Sequence, residues 1–483
     1  MRLIEQDPAS LPTLLGCLEA SRTIHGSHTK YSSLVSPSTL DLELTELDAI
    51  TADLSHLAQL YRFASELYLE SLRDKDLRWV RRAVETGLRP VDVTLTRRLS
   101  QSRLEPMMQR VDYVDVLPGQ RHIAEVQWKS GGPGYFIGHQ SAFLAAFPPG
   151  PGELPIDDLP ARYLDALSKR ADFVGPGLIV NEVRAEWLQA ERQFERPARS
   201  QLREYRAIDR ATLAEAIEAK PGQLLLRKGD SLVPISVLRG RGFTERLSET
   251  TLESLVDQAL DGRLWLETPP NFIYRQKWPL ALPFMQDLCP DHLSSLRDAI
   301  APTSMLGPDR FDLSAICSRM APQDASALSG VGHLLELGDL PTRTRAQLVL
   351  KCAAGSGDMH SRGRGVFRIN GSGPQVASTL RLIKDRQETI GEPWIAQLYV
   401  GREWGALLAH PEDLDAITRV SCRLRLMVFG QQVDGPVWSV QGGVANLSPH
   451  WKVSGADAKY DARGALLGSA FTDVRMASPG EAL

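Results

Sequence analysis

Cysteine is scarce: among 483 residues only Cys17, Cys289, Cys317, Cys352 and Cys422 occur, widely spaced and with no CxxC pair. A zinc ribbon and a disulfide framework are therefore not indicated, and a reducing cytoplasm is the expected compartment. The ten histidines form no HxH or HxxxH cluster, which argues against a zinc site. No GxSxG elbow and no GxGxxG loop is present, so neither a serine hydrolase nor a dinucleotide fold is supported. No apolar run approaches the roughly 20 residues of a spanning helix. The opening Met1–Pro8 lacks a signal-type apolar core. Excess charge is missing too: Lys+Arg is 55 and Asp+Glu is 59, a formal charge of −4. That balance gives no general attraction to nucleic acid or to an anionic membrane. With 43% hydrophobic and 24% charged residues, the chain has the composition of a soluble globular protein with several structural units.

What is present is concentrated around Lys351. The apolar run Leu348–Leu350 reads as a strand ending at this lysine. A glycine-rich loop follows, with Gly355, Gly357, Arg362, Gly363, Arg364 and Gly365, and then a second strand, Val366–Ile369. A lysine at a strand end facing such a loop suits a polyphosphate: the ammonium supplies a point charge and backbone N–H groups can close over phosphate oxygens. About thirty residues on, Pro393–Val400 reads as a strand running into a polar turn. Cys352, beside the lysine, reads as a small buried strand residue rather than a nucleophile.

Upstream lie two more polar segments. Tyr113–Val116 and His122–Trp128 alternate around Gly119 and predict a hairpin. Glu125 and Gln127, two apart on a strand, present two oxygen donors to one face, and Asp112 on the neighbouring strand adds a third. Mg²⁺ wants a few hard oxygens together with phosphate and water. A solvated hairpin face is the plainer alternative. Lys277, in Asn271–Pro279, precedes a predicted helical stretch, Leu280–Leu288, and offers a second phosphate-binding cation, with a surface lysine at a helix start as the plainer alternative.

The remaining organisation follows from periodicity. Residues 1–40 are rich in Ser, Thr and Pro and weakly periodic, and helical spacing runs from Leu44 to about Arg82. Residues 1–104 are thus expected to be mainly helical. Residues 105–150 carry the hairpin and the Gly131–Gly134 turn. Residues 151–270 alternate strands (Gly177–Val180, Leu224–Leu226, Val233–Leu238) with helices (Thr212–Ala219, Leu252–Leu260), as an α/β unit does. Residues 271–483 form the nucleotide region with its lid at 355–365, and 279–330 are expected to be mainly helical. Arg239-Gly-Arg241-Gly242 is read as a turn, with a carboxylate-binding loop as the alternative.

In their order over roughly residues 105–450, these segments resemble the glutathionylspermidine synthase-like group of ATP-grasp ligases. That group has R-x-D before E-x-N, then K-x-x-L-P, V-K-P, a glycine lid, a hinge strand and a closing S-x-F-x-P-H run. The counterparts are Arg110-Val-Asp112, Glu125-Val-Gln127, Lys277 with Leu280–Pro283, Val349-Leu-Lys351, the lid with Arg362 and Arg364, Gln397–Val400, and Asn446-Leu-Ser448-Pro449-His450. Gln127 stands where the group has Asn, and Cys352 where it has Pro.

The resemblance implies an α/β (α+β) ATP-grasp fold with an N-terminal helical region and an inserted α/β substrate domain, using ATP and Mg²⁺. Asp112, Glu125 and Gln127 are then expected to ligate magnesium. Lys277 and Lys351 would bind phosphates under the lid glycines Gly355 and Gly357, and Gln397, Leu398, Tyr399 and Val400 would meet adenine. Arg425, with Arg423 second, is the candidate for steadying the transferring phosphate, alongside Arg110 and Arg364. The expected reaction joins a small-molecule carboxylate to an amine through an acyl phosphate. Two other readings use the same residues: an inactive nucleotide- or partner-binding fold, and a small-metabolite kinase.

Overall fold

The alternating residues near Glu125 do form a hairpin, with strands Met108–Leu117 and Gln120–Gln127. In the computed structural model, the residues described are 1–20, 34–102, 104–117, 120–128, 133–148, 177–183, 204–240, 246–307, 309–354, 365–401, 403–434, 437–450, 459–460, 466–467 and 470–476, with 174, 188 and 192. Among them, the hairpin lies at one edge of an eight-stranded sheet. From that edge the order runs through Met108–Leu117, Asp413–Asp434, Val437–Ser448, Ala470–Met476 and Leu34–Leu42 to Arg2–Glu5. Glu403–His410 also pairs with both Asp413–Asp434 and Leu34–Leu42. All pairings are antiparallel except that of Leu34–Leu42 with Ala470–Met476.

The strands Arg2–Glu5 and Leu34–Leu42 fall largely in the segment read as rich in Ser, Thr and Pro and weakly periodic. Pro37 lacks an N–H, and the register with Ala470–Met476 shifts between Val35 and Thr39, so the proline sits at an irregularity rather than inside a regular ladder. That break hides the alternation.

One face of this sheet is covered by the helix Leu44–Glu70, whose apolar stripe includes Ile50, Leu54, Leu57 and Tyr61. Contact is close. The Gln109 side chain donates to the Leu54 carbonyl at 2.8 Å, and a Cβ on Gly430 would lie 2.6 Å from Leu54 Cδ1. Buried Asp53 accepts from Tyr113 Oη and Arg121 Nε. The expected single helical span to Arg82 is two helices, Leu44–Glu70 and Arg78–Glu85.

The α/β unit has the parallel strands Leu178–Val183, Tyr205–Asp209, Ser231–Arg239 and Trp265–Leu266, extended by antiparallel Gln223–Lys228 and Ile217–Lys220. Its helices are Arg210–Ala216 and Glu249–Leu260. The end of the expected helix Thr212–Ala219 is strand instead. Arg239, in the segment read as a turn, is fully buried in an ion pair with Glu267 at 2.8 Å, whereas Arg241 lies outside the described residues.

Residues 303–398 contain a four-stranded antiparallel sheet in the order Thr303–Met305, Trp394–Leu398, Leu348–Cys352, Val366–Arg368. The helix Gly373–Ile390 packs Val376, Leu380 and Ile383 into its core and ends at Gly391 with φ +69°. The stretch after Lys277 is a 3₁₀ helix, Trp278–Phe284, rather than an α-helix. Pro279 and Pro283 each remove an N–H, and Pro283 falls inside the turn, so α-helical bonding cannot propagate. Across 279–330 the helices are short, and the strand Thr303–Met305 interrupts them.

Candidate active site

Alternation along four adjacent strands decides which side chains share the face opposite the helix. Gln109 and Tyr113 point to the helix, so Arg110 and Asp112 between them point away. In register, Asp112 pairs with Glu125, Arg110 with Gln127, Met427 with Asp112, and Arg425 with both Val114 and Asn446. Residues far apart in sequence are thereby gathered on one patch. The second sheet closes over it: Lys351 Nζ donates to the Ala124 carbonyl at 2.9 Å, one residue from Glu125. Lys277 enters from the 3₁₀ segment, held by its backbone N–H on the Ala353 carbonyl, and its ammonium lies 3.5 Å from Glu125 Oε1.

Asp112, 1% exposed, accepts a bidentate pair from Arg110: Nε to Oδ1 at 2.7 Å and Nη2 to Oδ2 at 3.0 Å. Arg425 Nη1 stands 3.5 Å from Oδ2 of the same carboxylate. The cluster thus holds four cations (Arg110, Lys277, Lys351, Arg425) against two carboxylates (Asp112, Glu125), a formal surplus of 4 − 2 = +2.

The electrostatics follow from that surplus. Burial alone would raise the Glu125 carboxyl, but Lys277, Arg110, Lys351 and Arg425 outweigh burial and hold it well below the usual carboxylate range. Burial depresses Lys351 to about 8; neighbouring Lys277 and Arg425 push the same way, while Glu125 and Asp112 oppose. Burial also lowers Arg425. The Cys352 thiol is pushed up to about 12, chiefly by burial, so this buried strand residue carries no thiolate chemistry.

The strand Trp394–Leu398 holds Lys351 in place. Gln397 Oε1 accepts from Lys351 Nζ at 2.5 Å, its amide donates to Thr303 Oγ1 at 2.9 Å, and Thr303 donates to the Ala301 carbonyl at 2.6 Å. The Gln397 side chain is committed to the lysine in this arrangement. The N–H groups of Leu398 and Tyr399 donate to Pro302 and Gln347 at 2.8 and 2.6 Å, so neither is available to a base. Val400 lies just past the strand. The Tyr399 ring has the Arg368 guanidinium 4.0 Å from its centroid and that of Arg423 at 5.6 Å. Arg423 also donates to the Gly401 carbonyl and pairs with Glu403 at 3.0 Å, so it belongs with the segment 399–403, while Arg425 belongs to the Asp112 cluster. Gly355, Gly357, Arg362 and Arg364, expected to form a lid, lie outside the described residues, as does Gly131–Gly132 of the expected turn after Trp128.

As a magnesium site, the donor set divides. Glu125, ionised and partly open, and Gln127 share a face. Both Asp112 oxygens are already engaged by arginine. No group of three or more His, Cys, Asp or Glu able to hold a metal occurs among the described residues. Mg²⁺ needs only one or two carboxylates when phosphates and water complete its shell, so Glu125 with Gln127 fits it.

One polar residue of this face carried no assigned role in the sequence. Asn446 is fully buried, cross-strand from Arg425, and both atoms of its amide lack a hydrogen-bond partner; Arg425 Nε lacks one too. The signal was a lone amide in the apolar alternation Val444-Ala445-Asn446-Leu447.

No family model matches the chain, and no curated protein matches it in sequence. Its fold is similar to the solved apo structure of a glutathione synthetase-like effector from Globodera pallida, with 14% identity over 98% of each chain and a TM-score of 0.52. The chain therefore has a mixed α/β fold similar to that of a glutathione synthetase-like protein, which is compatible with the ATP-grasp architecture. No helix among the described residues is long and apolar enough to cross a membrane.

Proposed function

We propose that the protein is an ATP-dependent carboxylate–amine ligase that forms an amide through an acyl phosphate. The observation that carries this reading is the +2 surplus of partly buried cations where two sheets meet, with a lysine anchored by Gln397 at its centre. Such a cluster is complementary to a polyanion, and phosphoryl transfer needs positioning and charge neutralisation more than covalent help. The ATP-grasp fold and the order of motifs shared with the glutathionylspermidine synthase-like ligases support the same reaction class.

Lys351 and Lys277 bind ATP phosphates. Glu125 and Gln127 would hold Mg²⁺, which when bound neutralises phosphate charge. Asp112 orients Arg110 and Arg425. The base sits near Val400, beyond the occupied N–H groups of Leu398 and Tyr399. A carboxylate oxygen of the acyl donor attacks the γ-phosphorus; the new O–P bond forms as the bond to the β,γ-bridging oxygen breaks, and ADP leaves. The amine nitrogen then attacks the acyl carbon. A C–N bond forms, the C–O bond to phosphate breaks, and the amine proton leaves with phosphate. Arg425 and Arg110 stabilise negative charge in both steps. The test is ADP release screened against acid and amine pairs, with product mass identifying an amide. A stable phosphate ester would indicate a kinase, and no acid-dependent ADP release would leave a nucleotide-binding protein.

A further inference from the structure

Asn446 is not explained by packing. A leucine has the same branching and the same number of side-chain heavy atoms without stranding polar atoms, and buried polar groups without partners are rare in folded proteins. Both amide atoms are unpartnered, as is Arg425 Nε on the cross-strand neighbour. Arg425 reaches Asp112 through Nη1 and its side chain is 19% exposed, while its cross-strand neighbour Asn446 is fully buried beside it. The face is the one carrying Glu125 and Gln127. What would satisfy these atoms is narrowly defined. Nδ2 and Arg425 Nε need acceptors, and Asn446 Oδ1 needs a donor beside them. An acyl oxygen next to an incoming amine N–H supplies both.

We infer that Asn446 is a catalytic residue that, with Arg425, holds the reacting acyl group and orients the amine that attacks it. The inference rests on the ligase reading and adds a residue and a subsite to it. Asn446 Nδ2–H and Arg425 Nε–H donate to the carboxylate oxygen that remains on carbon after phosphorylation. That oxygen gains charge as the amine nitrogen bonds to carbon, and the two donors strengthen their hold as it does. Asn446 Oδ1 accepts one N–H of the amine, directing its lone pair at the acyl carbon. The amide exchanges no proton. The acyl C–N bond forms, the C–O bond to phosphate breaks, and the amine's second proton leaves with phosphate.

The test uses the full-length protein, ATP with Mg²⁺, the twenty proteinogenic L-amino acids and pooled small peptides as acyl donors, and hydroxylamine as the amine, read as hydroxamate. Asn446→Leu is compared with wild type for nucleotide Kd, for KM and kcat of the responding acid, and for thermal stability. The expected result is a kcat/KM for the acid lower by roughly 10- to 100-fold, as for loss of an oxyanion donor. Nucleotide Kd should stay within about 2-fold, with a melting temperature no lower than wild type, since an unpaired buried amide is removed. A merely structural role, or a buried water bridging the amide and Arg425, would leave kcat/KM unchanged in a folded variant, and that overturns the inference. If Asn446→Leu does not fold, Asn446→Ala is read by the same constants and decides. Should wild type bind nucleotide yet form no hydroxamate with any acid, the ligase reading fails and this assignment falls with it. An active wild type with an equally active variant sinks this assignment alone.

Discussion

Asp112→Asn tests whether the cation cluster is organised by one carboxylate. The change is nearly isosteric, so packing is kept and charge is removed. The cluster's formal surplus rises from 4 − 2 = +2 to 4 − 1 = +3. Asparagine keeps one oxygen for Arg110 Nε, but its NH₂ now meets Arg110 Nη2 as donor against donor. Hydrogen bonds to charged groups are worth roughly 1.5–3 kcal/mol each, and breaking one side of a buried pair costs about 3–5 kcal/mol. Asp112 is 1% exposed but Arg110 is 14% exposed, so water recovers part of the loss. A cost of about 2–3 kcal/mol is expected, a melting-temperature drop of roughly 5 °C by the usual scaling for large domains. Inorganic triphosphate at millimolar concentration should raise the melting temperature of Asp112→Asn more than that of wild type, because phosphate oxygens take over the lost acceptors. Differential scanning calorimetry with and without triphosphate reads both effects. A variant melting within about 1 °C of wild type, with no larger response to triphosphate, would refute the reasoning: the pair would then behave as an exposed ion pair worth about 0–1 kcal/mol.

Three further outcomes are expected. Lys351→Ala should weaken nucleotide binding as well as turnover, whereas Arg425→Ala should lower kcat by about 100- to 1,000-fold with nucleotide Kd nearly intact, because contacts confined to the transition state change rate and not affinity; equal losses of affinity in both variants would remove Arg425 from the transferring phosphate. Lys351 is depressed to about 8 in the free protein and phosphate oxygens favour its ammonium form, so nucleotide binding should take up a proton at pH 8.5 and little at pH 6.5; calorimetric titration in buffers of different ionisation enthalpy measures this, and equal uptake at both pH values contradicts it. Gly430→Ala places a Cβ 2.6 Å from Leu54 Cδ1 in a fully buried contact, and should destabilise the protein by about 1–3 kcal/mol without changing nucleotide affinity, checked by thermal melting and titration.

The parts of the site legible in sequence were those set by strand alternation. Glu125 and Gln127 share a face because a strand repeats every two residues, and Asp112 joins them through the hairpin register. Long-range pairing was not legible. Nothing local in Asp413–Asp434 says that Arg425 rather than Arg423 faces Asp112, since both lie on one face and only the register with Met108–Leu117 separates them. The bond from Lys351 to the Gln397 side chain was not legible either, because it depends on Trp394–Leu398 being an interior strand between Leu348–Cys352 and Thr303–Met305. Pro283 ended the expected helix after Lys277, and Pro37 masked a strand of the main sheet, both through the missing N–H. Asn446 went without a role because its burial depends on three strands meeting.

The central claim is that a carboxylate is activated by phosphoryl transfer at the Lys351 cluster, and oxygen isotopes test it most directly. Pooled amino acids and small peptides with ¹⁸O in their carboxyl groups are incubated with the protein, ATP, Mg²⁺ and an amine pool, and the released phosphate is weighed by mass spectrometry. An acyl phosphate leaves one carboxyl oxygen on phosphorus, so the account predicts phosphate carrying a single ¹⁸O, with Lys351→Ala releasing little of it. Unlabelled phosphate, released at the same rate with or without acids by a protein that binds ATP, would contradict it.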